Sequence, residues 1–325
     1  MLFMINEATE PAFNLAAEEY LLRHCGEDCC MLWQNHNAII VGRNQNTRAQ
    51  INPDFVARHG TTVVRRLSGG GTVYHDLGNV NFTFIKVRVA RPAIDFQRFA
   101  QPILEQLQAL GLAVELDGRN DLVLNGRKVS GNAQHIEGHK VLHHGTLLFD
   151  VDLDKLGESL RVDAAKYRDK AVASIRSRVT NLRPHLKEPR SVTDFMTDLL
   201  TGLRRRFSGR EAVLTATDRG AIQALAEEKY AGWDWNFGHS PPYTLRKSTR
   251  ISGGTVEVLL DVDRGIIRQA RLFGDFFGVL EIAGLEQALI GCEHRADALT
   301  RRLAKIPVDD YLNGCNGKDL LDALF

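Results

Sequence analysis

The residues best suited to chemistry lie in one segment, 65–76, which reads Arg-Arg-Leu-Ser-Gly-Gly-Gly-Thr-Val-Tyr-His-Asp. Three consecutive glycines are costly in backbone entropy, and they are found where another group must come close to the main chain. Without Cβ atoms, successive N–H groups can turn inward around an anion, and arginine adds forked donors. The arginine pair therefore favours a phosphate or carboxylate site over a flexible hairpin loop. The segment matches neither a P-loop nor a GxGxxG loop.

A second candidate segment, 118–133, contains an Asn125-Gly126 turn and a lysine just after it. A lysine on a strand beyond a tight turn is held by rigid backbone, and Lys128 can present one fixed positive charge to a carboxylate or phosphate. Asp121 is a candidate Mg²⁺ ligand, because this ion takes one or two carboxylates together with substrate phosphates. Taken alone, Lys128 is better interpreted as a solvated turn lysine, and Asp121 as a turn or cap residue.

Four histidines, at 135, 139, 143 and 144, are close enough in sequence to suggest zinc. Gly138 interrupts them, and a turn at 136–139 would face water. A hairpin tip with incidental histidines is the preferred interpretation.

These segments need a scaffold of short strands and a few helices. Residues 12–24 have apolar positions at spacings of three and four, which predicts an amphipathic helix capped by Asn14 or Thr9. Residues 38–42 and 61–66 are expected to be strands, and the alternation over 79–85 predicts a half-buried strand. Runs of strands without a regular β-α-β alternation favour an α+β fold.

The length of 325 residues is typical of about two domains. A turn-rich stretch at 237–243 looks like a linker. We therefore expect a catalytic domain at 1–245, built as a mixed sheet with helices. A small α+β accessory domain is expected at 246–325, with a hairpin around Asp263-Arg264-Gly265.

Charge and composition exclude several classes of protein. Forty-one Lys and Arg against 40 Asp and Glu give a net charge of +1, which argues against a whole-surface grip on nucleic acid or membrane. No apolar stretch approaches the ~20 residues that span a bilayer, and the first residues do not resemble a signal peptide. Five cysteines, an odd number, are typical of reduced thiols, so we expect a cytoplasmic protein.

Several motifs together resemble the lipoate–protein ligase A family over nearly the whole chain. The matching segments are the glycine segment 65–79, Gly-Arg-Asn-Asp at 118–121, Arg-Lys-Val-Ser-Gly at 127–131, His-His-Gly-Thr-Leu-Leu at 143–148, and the stretches 14–19, 41–46, 174–182 and 233–238. The resemblance implies the biotin- and lipoate-ligase-like fold. It also implies ATP-dependent activation of lipoate to lipoyl-AMP and transfer of the lipoyl group to a lysine of an acceptor domain.

The resemblance also implies roles for individual residues. Lys128 would lie between the lipoate carboxylate and the phosphate as an electrostatic clamp, with Asp121 holding Mg²⁺. Six further residues would contact the nucleotide, namely Arg66, Gly70, Gly71, Thr72, Val73 and Tyr74. The lesser candidates for the wall of the site are His75, Asn79, Ser130 and His144. The lipoyl tail needs an apolar tunnel, for which Leu15, Trp33 and Phe82 are candidates, although they could equally be core.

The implied partners are lipoyl domains of 2-oxoacid dehydrogenase E2 subunits and the glycine cleavage H protein. Residues 161–190 carry nine basic and three acidic side chains, which suits either a solvated surface, a docking face for an acidic acceptor or a loop that closes over the adenylate. The main alternative function is a lipoyl or octanoyl transferase on the same scaffold. Some such enzymes would use a cysteine thioester, and this chain has no cysteine between Cys30 and Cys292. A biotin ligase and a non-enzymatic nucleotide-binding module rank lower.

Overall fold

A computed structural model describes residues 1–45, 47–118, 120–160, 178–238, 243–251, 254–274 and 280–325. The described chain forms two compact units, Met1–Gly232 and Trp233–Phe325. The boundary expected at residue 245 remains a prediction. No helix in these ranges is both long and apolar enough to cross a membrane.

The first unit is organised around an eight-stranded mixed sheet and a smaller three-stranded sheet. Its strands are β1 (Leu2–Asn6), β2 (Cys29–Trp33), β3 (Ala38–Val41), β4 (Thr62–Arg65), β5 (Val73–His75), β6 (Asn79–Lys86), β7 (Val114–Asp117), β8 (Asp121–Leu124), β9 (Arg127–Glu137), β10 (Lys140–Leu148) and β11 (Arg210–Glu211). The large sheet has the order β11-β1-β2-β6-β10-β9-β8-β7, and the small one has the order β4-β3-β5.

The helices of the first unit pack on these sheets. They are α1 (Pro11–His24), α2 (Thr47–Gln50), α3 (Pro53–His59), α4 (Phe96–Ala109), α5 (Leu153–Ser159), α6 (Val192–Arg206) and α7 (Ala216–Leu225), with a 3₁₀ turn at Arg183–His185 and a π turn at Ala226–Tyr230. One face of the large sheet and helices α4 and α6 enclose the main core, which includes Phe82, Phe84, Ile103 and Leu199.

Helix α1 differs from the predicted helix in two respects. Its N-cap is Glu10, whose carboxylate accepts hydrogen bonds from the amides of Ala12 and Phe13, and not Asn14 or Thr9. Nor does the helix have a solvated face along its middle: Glu18 and Glu19 are buried together with the apolar positions. Helix α7 and the following π turn pack against its outer side, so polar residues there are buried with partners.

The second unit has the predicted small α+β architecture. Strands β12 (Tyr243–Ile251), β13 (Gly254–Asp263) and β14 (Ile266–Gly274) form an antiparallel sheet. Its β13–β14 turn has Arg264 and Gly265 at positive φ, as the hairpin expected there requires. The helices α8 (Ile282–Leu289), α9 (Ala296–Leu303), α10 (Val308–Tyr311) and α11 (Gly317–Ala323) enclose its own core.

Candidate active site

The glycine segment forms a loop between β4 and β5 that is folded around the Arg66 guanidinium. The two NH2 hydrogens of Arg66 reach the carbonyls of Gly69 at 2.7 Å and Gly71 at 2.6 Å. Its Nε donates to Ser68 Oγ and its NH1 to the carbonyl of Ile40, both at 3.1 Å. Arg66 is 6% exposed, and burial lowers its pKa to about 10. Four of the five arginine donors thus fix the loop, and the side chain still contributes positive charge to the site.

The neighbouring arginine secures the adjacent chain in the same way. Arg65 NH1 donates to the carbonyls of Gly42, Arg43 and Gln45, at 3.0, 2.8 and 2.7 Å. A Cβ at Gly42 would lie 2.1 Å from the carbonyl oxygen of Gly70. The glycine loop and the 42–45 turn therefore pack together at a distance that only glycine permits.

A buried hydrogen-bond chain runs from the glycine loop into helix α1. Ser68 Oγ lies 2.5 Å from His144 Nε2, and His144 Nδ1 lies 2.9 Å from the Glu18 carboxylate. The same carboxylate accepts from Thr83 Oγ1 at 2.6 Å, and Thr83 accepts from Trp33 Nε1 at 2.9 Å. His144 was predicted as a wall residue, whereas Glu18 was not recognised as part of the site.

Lys128 lies where the sequence placed it, at the start of β9 beyond a tight turn. Asn125 and Gly126 have φ values of 51° and 72°, which is the geometry of a two-residue hairpin turn. Lys128 Nζ lies 2.9 Å from Asp121 Oδ1, and the two side chains are 41% and 32% exposed. No other charged partner of Lys128 is found among the described residues. The ammonium is therefore held on rigid backbone yet remains open to solvent and ligand.

A cavity of about 150 Å³ joins these parts of the first unit. The glycine loop, Lys128 and His144 all contribute to its wall, together with Leu15 and Trp33. The predicted tunnel residue Phe82 does not, because it points to the opposite face of β6 and packs in the main core. Residues Gly70 to Val73 line the cavity, whereas the Tyr74 ring packs edge-on against Phe55, 6.0 Å away.

The remaining predicted wall residues are divided between the cavity and its surroundings. His75 lines the cavity, while Asn79 is buried and donates to Asn81 Oδ1 at 3.0 Å. Ser130 is fully buried and accepts from Asn132 Nδ2 at 3.3 Å. The predicted half-buried strand β6 is in fact buried on both faces. Of its polar residues, Asn81 lines the cavity instead of facing solvent.

The floor of the cavity runs across the strands of the large sheet. Trp33 on β2 pairs with Asn81 on β6, and Asn81 pairs with Thr146 on β10. Thr146 Oγ1 accepts from the amide of Gly131 on β9, which in turn pairs with Asp121 on β8. Neighbouring strands lie about 4.8 Å apart, so Gly131 and Asn81 are separated by about 10 Å. Lys128, on β9, lies toward one end of this series of strands, and Trp33, on β2, lies at the other end.

The clustered histidines do not form a metal site. His143 and His144 are consecutive on β10 and face opposite sides, with His143 stacked on Phe99 at 5.1 Å. His139 follows the turn at Gly138 and lies 3.2 Å from the Val89 carbonyl. Within the described part of the chain, no three His, Cys, Asp or Glu side chains are placed to hold a metal. The turn between β9 and β10 lies at Gly138 and His139, where the sequence predicted a hairpin tip.

Two segments of the chain match known protein families. Residues 10–204 match the family described as the lipoyl protein ligase A/B catalytic domain, and residues 240–324 match the bacterial lipoate protein ligase C-terminus. The chain belongs to the lipoate–protein ligase family. The predicted family and α+β fold are confirmed, and so is the enzyme class, a ligase.

Individual lipoate–protein ligases align along almost the full chain. Lipoate–protein ligase 1 of Staphylococcus aureus is 38% identical over 97% of each chain. Lipoate-protein ligase LplJ of Bacillus subtilis is 38% identical over 100% of each. Among solved structures, a bipartite lipoate protein ligase described with its E2 lipoyl domain, from Thermoplasma acidophilum, has 26% identity and a TM-score of 0.66. That match covers 73% of this chain and 96% of the other.

Proposed function

We propose that the enzyme activates lipoate with ATP to lipoyl-AMP and then transfers the lipoyl group to a lysine of an acceptor lipoyl domain. A carboxylate is a poor acyl donor until it carries a good leaving group, and AMP is such a group. The observation that carries this proposal is the position of Lys128, whose partly exposed ammonium lies at the wall of the cavity on a rigid hairpin.

Lys128 acts as an electrostatic clamp between the lipoate carboxylate and the α-phosphate. Bringing two anions together is unfavourable, and a fixed cation between them stabilises the charge that builds up in the transition state. Lys128 is not the nucleophile, because an acyl-lysine is an amide and too stable to pass the group on. The acyl chain extends from Lys128 along the floor toward Leu15 and Trp33.

The nucleotide lies against the glycine loop in this proposal. The backbone of Gly70, Gly71, Thr72, Val73 and Tyr74 offers N–H groups, and Arg66 both shapes the loop and adds positive charge. The side-chain donors of Arg66 already reach loop carbonyls, which supports a role for its charge more than for a forked grip on phosphate.

Asp121 is the proposed Mg²⁺ ligand. A single partly exposed carboxylate fits the class of Mg²⁺ sites in which substrate phosphates complete the coordination. When bound, the ion would neutralise charge on the phosphates. Replacing Asp121 by Asn should raise the Mg²⁺ concentration needed for half-maximal activity several-fold, and an unchanged requirement would remove Asp121 from this role.

The proposed acceptors are lipoyl domains of 2-oxoacid dehydrogenase E2 subunits and the glycine cleavage H protein. The Thermoplasma acidophilum relative was described with its E2 lipoyl domain, which supports the first of these. The basic segment 161–190 is a possible docking face for an acidic acceptor, but its residues 161–177 lie outside the described part of the chain. The reduced thiols support a cytoplasmic location.

Lipoate-dependent exchange of labelled pyrophosphate into ATP tests the proposal. The ligase reaction requires this exchange, whereas a transferase that takes acyl groups from a carrier protein needs no ATP. Absence of exchange, together with transfer from an acyl-carrier protein, would favour the transferase. The lack of a cysteine between Cys30 and Cys292 already argues against a thioester route through this region.

A further inference from the structure

The end of the cavity remote from Lys128 contains a buried polar atom that has no hydrogen-bond partner in the described part of the chain. His75 Nε2 is buried and has no hydrogen-bond partner among the described residues. His75 is 3% exposed, lines the cavity, and lies with its ring centre 6.4 Å from that of Trp33. A buried imidazole nitrogen in a residue of the cavity wall, with no partner among the described residues, is available to donate to a ligand or to accept from it.

The hydrogen bonds of Asn14, Asn35 and His75 determine whether His75 Nε2 is a donor or an acceptor. Asn14 Nδ2 donates to the carbonyls of Ala8 and Gln34, at 2.9 and 2.7 Å, and so the orientation of the Asn14 amide is fixed. The same Nδ2 lies 2.9 Å from the Asn35 amide, which presents Oδ1 to it because a second NH2 group there would face a donor. The other end of Asn35, Nδ2, then faces His75 Nδ1 at 3.2 Å as a donor.

His75 Nδ1 consequently accepts a hydrogen bond and carries no proton. Burial, with smaller contributions from Arg66 and His144, lowers the pKa of His75 to about 3, so the ring is neutral near pH 7. A neutral imidazole has one N–H, and it is on Nε2. The end of the cavity remote from Lys128 thus holds one N–H donor that none of the described residues accepts from.

The register of the sheet places this donor near the tail of the ligand. Trp33, next to His75, pairs with Asn81, which lies two strands from Gly131 and therefore about 10 Å from it. An acid whose carboxylate is clamped by Lys128 at the near end reaches the Trp33 end with the far end of its chain. For lipoate, that far end is the dithiolane ring.

We propose that the Nε2–H of His75 donates to a sulfur of the dithiolane ring and so selects lipoate over all-carbon acids of the same shape. This assignment rests on the proposed function, because it needs lipoate in this orientation. Asn35 is a positioning residue, since it acts through the tautomer of His75.

The selectivity arises mainly from a penalty on the competing acid. Sulfur is a weak acceptor, but a methylene group cannot accept at all. An all-carbon tail would leave the buried N–H unpaired, whereas a sulfur gives it an acceptor. We expect the resulting discrimination to be about tenfold, which corresponds to about 1.4 kcal/mol.

The test compares lipoate with 5-cyclopentylpentanoate, which has the same chain and an all-carbon five-membered ring. Pyrophosphate exchange gives kcat/KM for each acid in the wild-type enzyme and in His75→Phe. We expect a lipoate preference of about tenfold in the wild type and a ratio near one in the variant. If His75→Phe fails to fold, Asn35→Leu takes its place, and the ratio should then fall about threefold because the imidazole proton is no longer fixed.

Thr146→Val provides the matched control, since Thr146 lies on the same floor but away from His75. Its effects on the two acids should be equal. Equal use of both acids by the wild type, or an unchanged preference in the variants, would overturn the role of His75 while leaving the ligase proposal intact. No exchange with either acid in the wild type would refute the proposed function, and this assignment with it.

Discussion

Two cationic regions of the site differ in how their charges are used. Arg65 and Arg66 are buried, and their guanidinium groups reach backbone carbonyls and side-chain hydroxyls of the 42–47 segment and of the glycine loop, respectively. Lys128 is 41% exposed and has one ion-pair partner, Asp121, among the described residues. A buried cation with satisfied donors maintains shape, whereas an exposed cation on a rigid strand can meet a substrate.

The largest expected effect is on catalysis through the exposed cation. Replacing Lys128 by Met should lower the rate of pyrophosphate exchange by about 10²–10³-fold, because one fixed charge at the reacting anions is removed. Thermal unfolding should change by less than about 2 °C, since Lys128 is not part of the core. A variant that forms lipoyl-AMP at the normal rate would refute the clamp.

Replacing Arg66, in contrast, should lower the stability of the fold. Arg66→Met removes a buried side chain and its hydrogen bonds to the carbonyls of Ile40, Gly69 and Gly71, and we expect the free energy of unfolding to fall by about 2–4 kcal/mol. Denaturant titration measures this change, with Arg91→Met, an exposed arginine, as the control. If Arg66→Met were as stable as the wild type, the distinction between the two regions would fail.

The sequence predicted one of these regions better than the other. Lys128 follows an Asn-Gly turn, and such local patterns determine local geometry, so its strand and its role as a fixed cation could be anticipated. The role of Arg66 could not, because it depends on the loop folding back over β3. Likewise, Glu18, Asn35 and Asn81 join the site only through long-range contacts, and nothing in their local sequence distinguishes them from solvated residues.

Buried histidines should make the enzyme sensitive to acid. Burial, and to a smaller extent His144, lowers the pKa of His143 to about 3, and His75 is shifted similarly. Below about pH 6.5 the unfolded chain binds protons that the folded protein does not, so stability is lost as the pH falls toward 3. By pH 5 each histidine should account for about 2 kcal/mol.

Denaturation at pH 7.5 and 5.0 checks this expectation. His143→Gln should show a smaller loss between the two pH values than the wild type, because one of the titrating groups is gone. Equal losses in the two proteins would show that His143 does not contribute to the acid sensitivity.

The smallest effect should come from crowding the exposed cation without removing it. A Cβ at Gly131 would lie 3.0 Å from Lys128 Nζ, so Gly131→Ala should displace the ammonium slightly. We expect about a tenfold loss in kcat with little change in stability, since small misplacements of catalytic groups are costly. Ala133→Ser, two residues along the same strand, is the control. An equal loss of kcat in Gly131→Ala and Ala133→Ser would argue against displacement of Lys128.

The direction of the cavity across the strands has a consequence for which acids the enzyme accepts. Because the floor crosses β9, β10 and β6, strand spacing and register determine the distance from Lys128 to Trp33, which in the proposed orientation separates the carboxylate of the acid from its tail. In that orientation, the spacing of the backbone strands sets the length of the acid that fits. Substitutions at Trp33 can change the space available to the tail. Only a shift in strand register would change the distance across the sheet.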